Sequence, residues 1–330
     1  MTPSLHPLRL ARYIPQAALS PLARALDAAR TRALAGVLDE HAFVVAATRT
    51  LLAEAADLPD APSPRRAQVE RAIEFQTAAL LAALRQAPLD GVVARFAARL
   101  DAPLRSTMAE LMDRAWMPAA VLGLEMKLLD RLNHNMGSYL RWTAAVDRAV
   151  AGLAAPRIVD LAAGSGGFLR AVAAGGGGHG WSLTSTDLSP AYVEAGRGLA
   201  DAAGLAVAFA VRDATRLADL RGAVDLFVCT QSTHHLPPGV VVRILHAATA
   251  VAPRGLLVID VARSMGNVAA VWAATNLTAP FLPLVVDGMQ SVRRAYAAAE
   301  WRLMAELAGV DVEVDALAPA HWCVHATARP

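Results

Sequence analysis

Two hydrophobic rhythms run along this chain. Up to about residue 150, apolar positions recur at three- and four-residue spacing, which predicts helices over 20–37, 41–57, 65–86, 104–115 and 119–134. The proline-rich DLPDAPSPRR at 57–66 and APLDG at 87–91 read as the breaks between them. In LNHNMGSYLRW, Gly137 suits the position past one helix end, and Ser138 can cap the next by accepting a backbone N–H. From Arg157 onward the rhythm changes. Short apolar runs (RIVDL, WSLTST, VAFAVR, VDLFVCT, GLLVIDV) alternate with helical segments (GGFLRAVAA, SPAYVEAGRGLADAAG, PPGVVVRILHAATAV). Such alternation predicts a parallel sheet covered on both faces. After RRAYAAAEWRLMAELAG, the runs VDVEVDAL and HWCVHATA follow one another without a helix, which predicts a closing antiparallel hairpin. The chain thus divides into an all-α part, 1–150, and an α/β part, 151–330.

One stretch breaks this picture. Residues 264–286 carry no charge and are long enough to span a bilayer, but Asn267, Asn276, Pro280 and Pro283 interrupt them. We read a buried helix followed by an irregular apolar segment, not a membrane span. The chain is 55% hydrophobic and 18% charged, and much of the apolar share is alanine, a strong helix former. A net charge of +2 gives no electrostatic case for nucleic acid. Arginine replaces lysine nearly throughout, Lys127 being the one exception, as a GC-rich genome would produce. The start, MTPSLHPLRLARYIPQ, lacks the long apolar core of a secretion signal, so a cytoplasmic location is expected. Cys229 and Cys323 form neither a disulfide framework nor a ligand cluster, and read as reduced thiols. His234 and His235 are adjacent with no carboxylate near them in sequence, so no metal site is expected.

The stretch IVDLAAGSGGFL at 158–169 carries the chemistry. A glycine turn directly after the first strand lies in the crevice where a doubly wound sheet binds ligands. Gly164 and Gly166 let backbone approach a ligand closely, and the next helix start offers N–H groups. A dinucleotide fingerprint would place Gly or Ala at 169, where this chain has Leu169. Asp160, at the strand end, is unwelcome beside a pyrophosphate but can support the ammonium of a methionine moiety. Asp187 closes the second strand, where a ribose diol is read, and Asp213 follows the third, where a carboxylate can accept from an adenine amino group.

These pieces (VDLAAGSGG, the aspartate of TSTDLSP, RDAT, DLFVCTQSTHHL, APRGLLVIDVARS and the terminal hairpin) make 157–330 resemble a class I S-adenosylmethionine (SAM)-dependent methyltransferase. The resemblance implies a Rossmann-like doubly wound α/β sheet of seven strands, the last antiparallel, with SAM over the first strands. It implies a SAM site of Asp160, Ala162, Gly164, Ser165, Gly166, Asp187, Leu188, Asp213, Ala214, Thr230 and Gln231. One departure is Ala162, where the family has glycine; the backbone there is expected to keep φ below zero. HHL after the fourth strand, and DGMQSVRRAY, resemble bacterial methyltransferases of polyketide and other natural-product clusters.

Transfer from SAM is an in-line displacement, so a protein chiefly positions the acceptor and excludes water. A phenol or alcohol also needs a base, and His234 or His235, at the carboxyl end of the fourth strand, titrates in the useful range. Asp260 and Arg263 read as a structural ion pair, with Arg263 also a candidate acceptor contact; Asp225, His321 and His325 read as structural. Residues 130–142 and part of 264–291 are expected to line an acceptor pocket, with Asn135, Tyr139 and Arg141 as its polar contributors. The helical half would cover the crevice, join two copies, or both. The function implied is methylation of a small hydrophobic or aromatic molecule, at oxygen. The alternatives are non-methylating SAM chemistry and, less favoured, an NAD-dependent oxidoreductase.

Overall fold

From β1 (Arg157–Asp160) the chain builds outward in two directions, through β2 (Ser182–Asp187) to β3 (Ala208–Val211) on one side, and through β4 (Leu226–Thr230) to β5 (Leu256–Val261) on the other. These five strands pair in parallel. The hairpin β6 (Val310–Leu317) and β7 (His321–Ala328) completes the sheet, with β7 antiparallel between β5 and β6. The order β3-β2-β1-β4-β5-β7-β6 is the seven-stranded doubly wound sheet expected from the sequence. Strand order reverses between β1 and β4, so the ligand crevice opens at their carboxyl ends. Every residue of β5 is buried, as a strand covered on both faces requires. This computed structural model describes residues 21–175, 178, 180–278, 280–318 and 320–330; the amino-terminal stretch considered above lies outside them.

Helices cover both faces. On one lie α9 (Pro238–Val251) and α12 (Ala298–Ala308), backed by α1 (Pro21–Glu40), α2 (Ala42–Asp57) and α3 (Pro64–Gln86). Ile73, Leu80, Leu81 and Leu84 of α3 bury in one cluster with Phe227, Leu245 and Trp301. The first helices therefore share the core of the sheet. On the other face Trp142 and Val146 of α6 (Ser138–Ala149) and Phe168 of α7 (Gly167–Gly175) pack on Ile158, Val228 and Ile259. α8 (Pro190–Ala202) flanks β2 and β3. Cys229 and Cys323 are free thiols on β4 and β7, separated by β5.

Two local expectations are corrected. The helix expected over 104–115 is absent; α4 (Val92–Asp101) precedes it, and an irregular strap runs to α5 (Ala119–Asn135). The apolar spacing of the strap is helical, but its backbone bonds to α11 (Leu282–Arg294) instead of to itself. Ser106 N donates to Arg293 O at 3.1 Å, and Leu111 N and Met112 N donate to the Asp287 carboxylate at 2.7 and 2.9 Å. Tertiary bonding overrides a weak local propensity. The second correction is 264–286. It forms α10 (Met265–Thr278) and the start of α11, whose Pro283 lies in the first turn, where proline begins a helix. Among the described residues no helix is long and apolar enough to cross a membrane.

A buried charge cluster ties the amino-terminal helices to the sheet. Arg263, two residues past β5, reaches Asp101 at 3.0 Å, Glu300 of α12 at 3.2 Å and Ala295 O at 2.5 Å. Arg30 of α1 joins Asp101 at 2.8 Å, and Arg85 of α3 joins Glu300 at 2.6 Å. Arg263 is thus held by Asp101 and Glu300, not by Asp260. Its side chain is 1% exposed and faces away from the large cavity, so it is not placed to touch an acceptor.

Candidate active site

The turn after β1 is set by three left-handed residues, Ala162 (φ +50°), Gly164 (+56°) and Gly166 (+70°). A Cβ on Gly166 would come within 2.7 Å of Ser185 Oγ, so only glycine fits there. Ala162 departs from expectation. It keeps the positive φ of the glycine it replaces, because the turn geometry leaves no other path, and accepts a strain of about 1–2 kcal/mol. Gln231, just past β4, is the other non-glycine residue with positive φ among the described residues, at +51°. Ser232 between them and the cavity donates its hydroxyl to Ala162 O at 2.6 Å, linking the two turns. Strain that persists in this way gathers at functional sites.

Asp187 shapes the same turn from β2. Its two oxygens accept from Gly164 N and Ser189 N, each at 2.8 Å. Asp160 lies at the root of the turn, fully buried, and neither of its carboxylate oxygens has a partner. Burial, and then the neighbouring Asp187, pushes its carboxyl well above the usual range. An ammonium group is what such an orphaned carboxylate lacks.

Above the turn is a cavity of about 690 Å³. Ala162, Gly164, Ser165, Asp187, Leu188, Thr230 and Gln231 lie on its wall; Asp160 and Gly166 lie behind it. Asp213 and Ala214 do not reach it. Asp213 Oδ1 instead accepts from Thr215 N at 2.9 Å and Thr215 Oγ1 at 2.7 Å, closing its own turn. The strap, α5, α6, α10 and α11 form the far walls.

Of the expected acceptor contacts, Tyr139 is on the wall, its hydroxyl donating to Asp130 at 2.5 Å. Asn135 is exposed and off the wall, because two residues rotate a helix by about 200°. Asn133 takes its place and donates to Gln231 Oε1 at 2.8 Å. Arg141 donates to Met136 O at 2.7 Å, also off the wall. His321, read as structural, lines the cavity, and burial holds it down to about 4.

The histidine pair sits in a turn over Thr233–His235. Asp260 accepts from the Thr233 hydroxyl, from His234 N at 2.9 Å and from His234 Nδ1 at 2.6 Å. Burial alone would raise Asp260, but the His234 imidazole and these donors outweigh it and hold the carboxyl at about 2. With Nδ1 donating, Nε2 of His234 carries the lone pair, 3.5 Å from Glu110 Oε1. His235 mirrors it, with Nδ1 3.1 Å from Asp113 and Nε2 3.7 Å from Glu110 Oε2.

The sequence reading missed these carboxylates because they arrive from far away in the chain. Glu110 and Asp113 sit in the strap, Glu125 on α5 and Asp287 on α11, and all four line the cavity. Burial pushes Glu110 up to about 7, against the pull of His235 and Ser291, and pushes Glu125 to about 7 with Asp287 and Glu110 adding to it. Among the described wall residues there is no lysine or arginine.

Residues 158–255 match a family model described as a methyltransferase domain. No curated protein matches the chain. Solved structures similar to it include a SAM-dependent methyltransferase from Aquifex aeolicus, at 17% identity and TM-score 0.39, covering 52% of this chain and 81% of that one. A putative O-methyltransferase from Nostoc punctiforme gives 17% identity and TM-score 0.44, over 66% of this chain and 64% of that one. A plantazolicin methyltransferase solved with a triazolic desmethyl analogue and S-adenosylhomocysteine gives 14% identity and TM-score 0.42, over 57% of this chain and 71% of that one.

Proposed function

We propose that this chain, whose residues 158–255 match a methyltransferase domain, is a SAM-dependent methyltransferase that methylates an oxygen of a small, largely apolar molecule held in the cavity above β1 and β4. SAM supplies a methyl group already activated on a sulfonium. The residues at the turn fit it. Asp160 offers an unpaired buried carboxylate for an ammonium, the glycine turn gives close backbone, and Asp187 stands at the end of β2 for a ribose. Asp213 and Ala214, off the wall, belong to this reading only as neighbours of the site.

The observation that carries the reading is His234 on the cavity wall with its Nδ1 2.6 Å from Asp260, which in the neutral ring leaves Nε2 as the base. Asp260 fixes the ring, and the nitrogen opens on the cavity next to Gln231 and the turn. From there it can draw a hydroxyl into line and take its proton, or orient it. Met112, Met126, Leu129, Phe168 and Val271 supply apolar wall, and burying an acceptor against them contributes about 25 cal/mol per Å². The reading extends to natural-product tailoring, supported by that apolar wall. It also includes a dimer through the helical half, supported by the exposed Phe43, Phe75 and Phe96 on α2, α3 and α4.

His234→Ala tests it. Turnover of a phenolic or alcohol acceptor should fall by ~10²–10⁴ while SAM affinity by calorimetry stays unchanged. Equal turnover in the variant would remove His234 from the reaction.

A further inference from the structure

The cavity wall brings His234, His235 and Glu110 together. Asp260 accepts from His234 Nδ1 at 2.6 Å, and Asp113 lies 3.1 Å from His235 Nδ1. A carboxylate accepts, so each ring donates through Nδ1, and in the neutral ring the lone pair is then on Nε2. Both lone pairs then point at one further carboxylate, His234 Nε2 at 3.5 Å from Glu110 Oε1 and His235 Nε2 at 3.7 Å from Glu110 Oε2. With both rings neutral these atoms are acceptors facing one another, a contact that needs a proton or a metal cation to bridge it. A cation between them turns all three contacts favourable at once.

The geometry suits a metal. One ligand atom from each of Glu110, His234 and His235 lies within 4.8 Å of the others. Tetrahedral zinc with bonds of about 2.0–2.2 Å sets its ligands about 3.3–3.6 Å apart, so the ligand atoms close by no more than about 1.5 Å. Two His and one Glu with an open fourth position is a catalytic zinc set. A metal-bound histidine nearly always donates its other ring N–H to a carboxylate or carbonyl, and here both do so to carboxylates.

We propose that Glu110, His234 and His235 bind one divalent transition-metal cation of the zinc type, oriented by Asp260 and Asp113, with its fourth position open to the cavity. The proposal rests on the methyltransferase reading only for its use. An acceptor hydroxyl entering the open position becomes more acidic, its proton passing to water. His234 then acts through the ion and not as a free base.

The test uses the full chain, stripped with a chelator and dialysed. Zn²⁺ is titrated by calorimetry, and Co²⁺ is followed by visible absorption. One equivalent of each is expected, with the intense spectrum of four-coordinate Co²⁺ displaced by Zn²⁺. Asp113→Asn should weaken Zn²⁺ roughly 10–100-fold, as loss of an orienting partner does. Glu110→Gln and the more exposed His235→Ala should each abolish the equivalent while thermal unfolding stays cooperative. The proposal is overturned if no stoichiometric Zn²⁺ binds, or if binding survives in both of those variants. SAM affinity is measured on the same samples. Methyl transfer by metal-free protein at full rate overturns the cation's part in transfer and leaves the methyltransferase reading standing. A filled site without SAM binding supports the cation and overturns that reading.

Discussion

Replacing Glu300 by glutamine removes one negative charge from the interior while keeping the side chain's shape. In the wild type its carboxylate serves Arg85 at 2.6 Å, Arg263 at 3.2 Å and Arg105 at 3.6 Å, and accepts from Ala297 N at 2.9 Å. Glu300 is fully buried and the Arg263 side chain 1% exposed, so water cannot take over. The variant leaves three guanidinium groups around a neutral amide, with Asp101 the remaining anion on Arg263. Breaking a buried pair on one side costs about 3–5 kcal/mol. At roughly 2–4 °C per kcal/mol in a chain of this size, thermal unfolding should move down by ~6–20 °C. The pH dependence gives a second readout. Burial would raise Glu300 above its ordinary 4.5, but Arg263, Arg85 and Arg105 outweigh it and hold the carboxyl far below. A depressed carboxyl adds stability that is present above its unfolded value and is lost as pH falls. The wild type should therefore weaken below about pH 4.5, and the variant more shallowly. Circular dichroism melts from pH 3 to 7 measure both. A loss under about 1 kcal/mol at pH 7 would refute the reasoning, since it would mean the cluster is solvated.

Ala162→Gly should raise stability by about 0.5–1 kcal/mol, because the strain at φ +50° exceeds the entropy that glycine adds to the unfolded chain; a lower melting temperature would show that the alanine methyl matters more than its backbone. Deleting everything through Asp101 should leave no soluble fold, since it strips Ile73, Leu80, Leu81 and Leu84 from the core shared with β4 and α9; a cooperatively unfolding remainder would contradict that shared core. Counting thiols in denaturant without reductant should find two per chain, from Cys229 and Cys323, and fewer in a monomer would conflict with β5 lying between their strands.

The sheet was legible because its information is local. Alternating runs and punctuation mark strands such as LLVIDV, and the carboxyl end of each strand is where ligands collect, so Gly164 and Asp187 could be named from position and Gln231 from the family resemblance. The far wall was not legible. Glu110 is more than a hundred residues from His234, and its segment has the apolar spacing of a helix; only the bonds from Leu111 and Met112 to Asp287 decide otherwise. Asn135 failed for a finer reason, since composition identifies a polar helix but not which side faces in, and Asn133 holds the inward position. Arg263 was misplaced because its partners, Asp101 and Glu300, come from either end of the chain.

The strap over 104–118 is gripped mainly by its backbone. Asp287 holds the amides of Leu111 and Met112, Gln290 donates to Met108 O at 2.6 Å, and Arg293 donates to Leu104 O at 3.0 Å. None of these bonds depends on which side chain the gripped residue carries. Met112 faces the cavity, so exchanging it reshapes the space offered to an acceptor and leaves the frame in place. Descendants of this chain can change what they accept one wall residue at a time, keeping the helix that grips the strap.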